Sequence, residues 1–283
     1  MAGVAMTPVP GGPESLYPDW MQPMPLATGP PRISGTAMPG GVFMSTGTAR
    51  TASDLALIAT GLSLAALGGC AMVLTYIVSW LIEQISALPL TGMLLLVTSA
   101  FDTPAGPWVE IGLNLLSLLS FLVLMRISPL SAYHAAEHKV IGAIEHFGEP
   151  TMENARMMPR AHIRCGSNLL AGVLPLLLIA GPLWRVSEIA AVAVVVLGWS
   201  LRFHTGYLIQ AIFATKEPTD RQLRAGLEAG HRILRLWREH LSRPVPPLVS
   251  IWRRGLIQMF AGMMLGLWLL SQAYQHLHVW LDF

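Results

Sequence analysis

The stretch YHAAEHKVIGAIEHFGEP, from Tyr133 to Pro150, gathers three histidines and three glutamates in a chain of which only 12% is charged. His134, Glu137 and His138 spell H-x-x-E-H, the inverted zincin order. On a helix, residues four apart lie about 40° from one another, so both imidazoles can meet one divalent ion, for which zinc is the natural choice. Glu137 then falls about 80° to one side of the bisector of the pair, where it can act on water as a general base without ligating. The chemistry within reach is metal-assisted hydrolysis.

A catalytic ion needs a third protein ligand. Glu145 shares the helix face, yet it stands about 10 Å along the axis from His138, a long reach for one carboxylate. The segment HIRC offers His162 and Cys165, either of which a returning loop can carry over the histidine pair. A thiolate at Cys165 would be a strong zinc ligand in a reduced compartment. Glu153 is a further candidate, and Arg164 could stabilise a developing anion. His146 lies about 120° around the helix from His134 and is expected to be merely solvated. A His/Glu-rich amphipathic helix resting on a membrane surface would carry the same residues with no metal at all.

The elements that must position this cluster are membrane helices. Of 283 residues, 53% are hydrophobic, and the mean hydropathy is +0.54, outside the balance of a soluble domain. The two cysteines, Cys70 and Cys165, suggest no disulfide framework. Five stretches have the length and apolarity to cross a bilayer: Asp54 to Ile85, Trp108 to Arg126, Asn168 to Trp184, Ser187 to Phe213 and Ile251 to Tyr274. Leu88 to Ala100 is too short to cross and reads as re-entrant or interfacial. The fold class is therefore all-α, a polytopic transmembrane helical protein of about five spans with two helical cytoplasmic loops.

Lys and Arg concentrate in the loops after the second and fourth spans, with only Arg185 on the other side. That bias places the N-terminus and both long loops in the cytoplasm of a multi-pass protein of the bacterial inner membrane. Residues 1–51, rich in Pro, Gly, Ser and Thr, read as an irregular cytoplasmic arm. Residues 52–126 hold two spans, 127–167 the metal-site loop, 168–213 two more spans, 214–250 a basic helix with a Pro-rich linker, and 251–283 the fifth span with a tail.

Pro129 ends the second span, and a helix over about 131–147 is closed by Gly148 and Pro150. In the second loop Thr219 and Gln222 form a capping box, and Leu223, Leu227, Leu234, Trp237 and Leu241 recur at helical spacing. Arg221, Arg224, Arg232, Arg235 and Arg238 lie off that stripe, which suits a helix lying on anionic lipid headgroups or one packed on the first loop. Stacking aromatics are too few for nucleic-acid binding. Gly61, Ala65 and Gly69, with Gly262 and Gly266, suit close helix packing, within the chain, in a homo-oligomer or in a larger membrane complex.

The segment from Tyr133 to Ser167 resembles the signature of the YqhQ-like family of bacterial membrane proteins (DUF1385), approximately YHGAEHKTI followed by Thr-x-Glu-Asn and HPRCGT, and ATKEPTDRQL from Ala214 is similar to its TTREPDDxQL segment. The resemblance runs over about Trp108 to Leu234 and implies a metal-dependent enzyme. It supports His134, Glu137, His138, Glu145, Glu153, Asn154, His162, Arg164 and Cys165 as a polar site. The family's GGQAVIEGVMMRG segment survives only faintly as GGVFMSTGT from Gly40, without its glutamate, and the fifth span is an extension. Two functions follow as expectations: a hydrolase-type membrane enzyme, or a non-catalytic subunit or assembly factor in which the His/Cys/Glu cluster is structural.

Overall fold

The computed structural model describes residues 32–86, 88–94, 103–239 and 246–280. Five of its helical stretches are long and apolar enough to cross a membrane: Asp54–Ser86, Gly106–Ile127, Gly166–Trp184, Glu188–Ala214 and Leu256–His276. The chain is a mostly helical, multi-span protein, with one small sheet among the described residues. Of the stretch Leu88 to Ala100, residues 95–100 lie outside the described residues, and Leu90–Leu94 is a short helix (α2).

The first span is α1 (Asp54–Ser86) and the second α3 (Gly106–Ile127). The third joins α6 (Gly166–Pro175) to α7 (Gly181–Trp184) through a π-helical turn, Leu176–Ala180. The fourth runs α8 (Glu188–Ile209) into another π-helical turn, Gln210–Ala214. The fifth is α11 (Leu256–Trp280), reached through α10 (Pro247–Arg253), so the end of the Pro-rich linker is helical from Pro247. In the packing, α1 lies against α11 and α3, while α6 pairs with α8. The small residues are used inside the chain: a Cβ on Gly61 would stand 2.0 Å from the Met259 carbonyl oxygen, and one on Gly262 2.0 Å from that of Ile58.

At one end of the spans sits a compact cap. Its centre is α4 (Leu130–Phe147), closed by Gly148 in the left-handed conformation at φ +78°, as the sequence predicts. After α5 (Met152–Met157) the chain returns to α6, and α9 (Asp220–Glu239) follows the fourth span. The capping box of α9 forms, with the Thr219 N–H donating to Gln222 Oε1 at 2.9 Å. Its apolar stripe packs on α4 through Leu223, Leu227, Ile233 and Leu234, so this face meets protein rather than lipid. Gly226 and Gly230 admit Val140 of α4.

The sequence expectation of an irregular arm over 1–51 is corrected at its C-terminal part. Residues 34–45 form an antiparallel hairpin, β1 (Ser34–Met38) with β2 (Gly41–Ser45), paired Ser34 to Ser45 and Met38 to Gly41. Residues 1–31 lie outside the described residues. A lone two-stranded hairpin is marginal in water. This one is held because β1 lies on α4, β2 on α9, and Val42, Phe43 and Met44 are buried, at about 1.5–3 kcal/mol for each fully buried side chain of that size. The stabilising contacts come from far along the chain, so local composition does not reveal them.

Candidate metal centre

The cluster forms where three spans end. His134 and His138 stand one turn apart on α4, just after the second span, and Cys165 is the N-cap of α6 at the start of the third. One ligand atom from each of His134, His138 and Cys165 can be chosen so that all lie within 4.8 Å of one another. Tetrahedral zinc bonds of about 2.0–2.3 Å put donors roughly 3.3–3.8 Å apart, so an inward shift of no more than about 1.5 Å in any pair closes the set.

Each imidazole is held by its other nitrogen. His134 Nδ1 is 3.0 Å from the Ala214 carbonyl, and His138 Nδ1 is 2.5 Å from that of Arg160. A carbonyl only accepts, so both Nδ1 atoms carry the proton and both Nε2 atoms are turned to the centre, the outer-shell arrangement of metal-ligating histidines. The chain just before Arg160 is tied to α4 by Lys139, a buried lysine whose Nζ donates to the Arg156 and Met158 carbonyls at 3.2 and 2.9 Å and pairs with Glu217 at 3.1 Å.

Electrostatics favour a thiolate. Burial alone would raise the Cys165 thiol, but the charges and hydrogen bonds of His138 and His134 outweigh it and hold the thiol well below its usual value. Its place at a helix N-terminus acts in the same direction. Burial disfavours charge on His134, yet Cys165 Sγ, 3.2 Å from its Nε2, with Glu137 and the Ala214 carbonyl, raises it to about 9. His138 is lowered by burial and by the neighbouring His134 charge. These shifts favour an imidazolium at His134 facing a thiolate at Cys165 and hold His138 toward its neutral form.

Glu137 lies beneath the hairpin. A Cβ on Gly35 of β1 would fall 2.6 Å from its Cγ and Oε1, so only glycine lets the strand pass there. The residue is 5% exposed, and its Oε2 has no hydrogen-bond partner among the described residues. Burial raises its carboxyl to about 8, with His134 opposing and Cys165 adding to the rise. A buried carboxyl oxygen left open beside three convergent soft and imidazole donors fits a hydrated metal site.

His162 and Glu145 form a neighbouring pair rather than completing the triad. The Arg164 N–H donates to His162 Nδ1 at 3.3 Å, so His162 Nε2 carries the proton and donates to Glu145 Oε2, also at 3.3 Å. Burial lowers His162, so this contact is a hydrogen bond from a neutral ring. The rings of His162 and His138 are 5.7 Å apart. Arg164 closes the group with an ion pair to Glu145. Glu153, by contrast, is exposed in the first turn of α5 and does not join the cluster. The local reason is that Thr151 caps α5, accepting from the Asn154 N–H, and the buried residue of that helix is Ala155. His146 bonds back to the Gly142 carbonyl at 2.9 Å.

Sequence reasoning missed the supports: Gly35, Lys139, Gln210, and the carbonyls of Ala214 and Arg160. A lysine in the middle of an otherwise buried helical stretch was the one available signal.

The fold and these donors define a class, a multi-span helical membrane protein with a His/His/Cys grouping able to hold a metal ion. Residues 58–197 match the family described as "Protein of unknown function (DUF1385)". It is also similar to the uncharacterized protein YqhQ of Bacillus subtilis (strain 168), 32% identical over 156 residues that cover 45% of this chain and 49% of that protein. The chain thus spans about half the length of this curated relative. No solved structure matches. The metal-dependent activity implied by the resemblance gains no support from these matches. The matched stretch contains H-x-x-E-H and HIRC, while the hairpin, ATKEPTDRQL and the fifth span lie outside it.

Proposed function

We propose that the protein is a membrane-embedded, zinc-dependent enzyme of the hydrolase type, with His134, His138 and Cys165 as ligands and Glu137 as general base. The observation that carries this is the anchoring of both Nδ1 atoms on backbone carbonyls, which presents two Nε2 atoms and a thiolate to one point. Three protein ligands leave a fourth position, the mark of a catalytic rather than a structural zinc site. A zinc ion there supplies Lewis acidity toward water and toward a carbonyl or phosphoryl oxygen. Glu137 holds the proton taken from water, a role suited to a carboxyl that titrates near 8. Arg164 supplies positive charge near the developing anion. The Lys/Arg bias of the loops supports a cytoplasmic position for the cap in a bacterial inner membrane, and the exposed Arg221, Arg224, Arg232, Arg235 and Arg238 suit anionic headgroups beside it.

A second reading, a non-catalytic membrane subunit with a structural metal site, is favoured by the hairpin strand lying over Glu137. Elemental analysis of the purified full chain tests the shared premise: about one equivalent of zinc is expected, and less than about a tenth of an equivalent of any transition metal overturns both metal readings. Glu137→Gln then divides them. Turnover lost with zinc retained supports catalysis, and full function with zinc retained supports the structural role.

A further inference from the structure

The fourth span contributes no metal donor, yet both halves of the candidate centre hang from its last turn. That turn is π-helical, closed by the Thr215 N–H and hydroxyl on the Gln210 carbonyl at 3.0 and 2.7 Å. It delivers the Ala214 carbonyl to His134 Nδ1. It also turns the Gln210 side chain, 1% exposed, inward onto the loop that carries Cys165.

Gln210 Oε1 accepts the His162 N–H at 2.8 Å, and its Nε2 donates to Asn168 Oδ1 at 3.0 Å. Asn168 Nδ2 in turn donates to the Ile163 carbonyl at 2.6 Å. The two carboxamides therefore grip the His162 N–H and the Ile163 carbonyl of the His162–Cys165 turn, whose own bond runs from the Cys165 N–H to the His162 carbonyl at 3.1 Å. Gly206 makes the grip possible, since a Cβ there would stand 2.2 Å from Asn168 Oδ1. Insertions of the π type recur at functional sites because the extra residue re-aims a side chain. The bonds are out of water, so removing the carboxamide leaves an amide N–H and a carboxamide oxygen unpaired.

We infer that Gln210 is a positioning residue for the metal centre, setting the place of Cys165 through the His162 N–H and Asn168. This rests on the metal-site reading above, and it extends that site beyond the segment matched to the family, which ends at residue 197.

The test uses the full chain in detergent, titrated with Co(II) and read by its thiolate-to-metal charge-transfer band, with zinc affinity from chelator competition. Gln210→Met keeps the volume and removes the carboxamide. Its affinity should fall by roughly 10–100-fold, the usual effect of losing an outer-shell partner, with a weakened or shifted thiolate band at saturation. Gln210→Glu, neutral when buried, keeps an acceptor for the His162 N–H and a donor for Asn168, and should stay near the wild-type affinity and spectrum. A merely structural tie would lower the unfolding temperature of Gln210→Met while leaving band and affinity unchanged, and that result overturns the proposal. So does a loss in Gln210→Glu as large as that in Gln210→Met. Should Gln210→Met fail to fold, Gln210→Glu decides alone: wild-type binding sustains the proposal, and a tenfold loss overturns it. Wild-type protein that takes up neither Co(II) nor zinc instead removes the metal reading itself.

Discussion

The two long helices of the cap, α4 and α9, both carry many titratable groups and treat them in opposite ways. On α4 the groups Glu137, His138 and Lys139 are each no more than 5% exposed. On α9 the five arginines are exposed, and what the helix buries is its apolar stripe. Burying an ionisable group is costly unless partners replace water, and on α4 the partners are named atoms: two carbonyls on Lys139, one on His138, a thiolate on His134. Charge density in the sequence is therefore a poor guide to a site. The guide is charge that the fold takes out of water and answers with specific contacts.

The sharpest way to break the comparison is His138→Ala. It removes one of three donors, and zinc content in the purified protein should fall from about one equivalent to under about a tenth. Wild-type zinc content in that variant would place the ion elsewhere. Next in size is Ile233→Ala, which empties a fully buried position of α9 and should cost about 2–5 kcal/mol in reversible unfolding of the cap; a negligible loss would mean that α9 is an attached ornament. Gly35→Ala sets a methyl against Glu137 and should destabilise by about 1–3 kcal/mol, seen as faster amide exchange across β1.

The pH dependence follows from His134. In the metal-free chain it titrates near 9 and is charged at pH 7, whereas Cys165 is already a thiolate. An entering ion must displace one proton from His134, so affinity should rise about tenfold per pH unit from 7 and level off near 9. Calorimetry in buffers of different ionisation enthalpy should give at least about one proton released per zinc at pH 7, from His134; none released would contradict the imidazolium–thiolate pair. The smallest effect is expected on α9, where Arg221→Gln with Arg232→Gln should move stability by no more than about 0.5 kcal/mol and leave zinc content untouched. A loss of metal there would erase the contrast between the helices.

Much of this was legible from residue spacing. The five spans, the limits of α4 with its Gly148 cap, and the pairing of His134 with His138 all follow from helical periodicity and composition, which are local properties. The choice between His162 and Cys165 was not local. It depends on the short turn closed by the Cys165 N–H on the His162 carbonyl, which aims sulfur at the histidines and leaves His162 to Glu145. The hairpin was hidden for a related reason, since its order comes from α4 and α9, some hundred and two hundred residues away. Gln210 reads as one polar residue at the end of an apolar run, and its inward aim exists only because the last turn of the span is π-helical.

That turn also bears on the order in which the protein can mature. Every donor has been synthesised once Cys165 is made, but the carbonyl that holds one imidazole and the carboxamide that holds the thiolate's loop are encoded some fifty residues later, on the far side of two membrane crossings. A nascent chain arrested after the third helix would display loose ligands to whatever ions surround it, and selectivity would arrive only with the fourth.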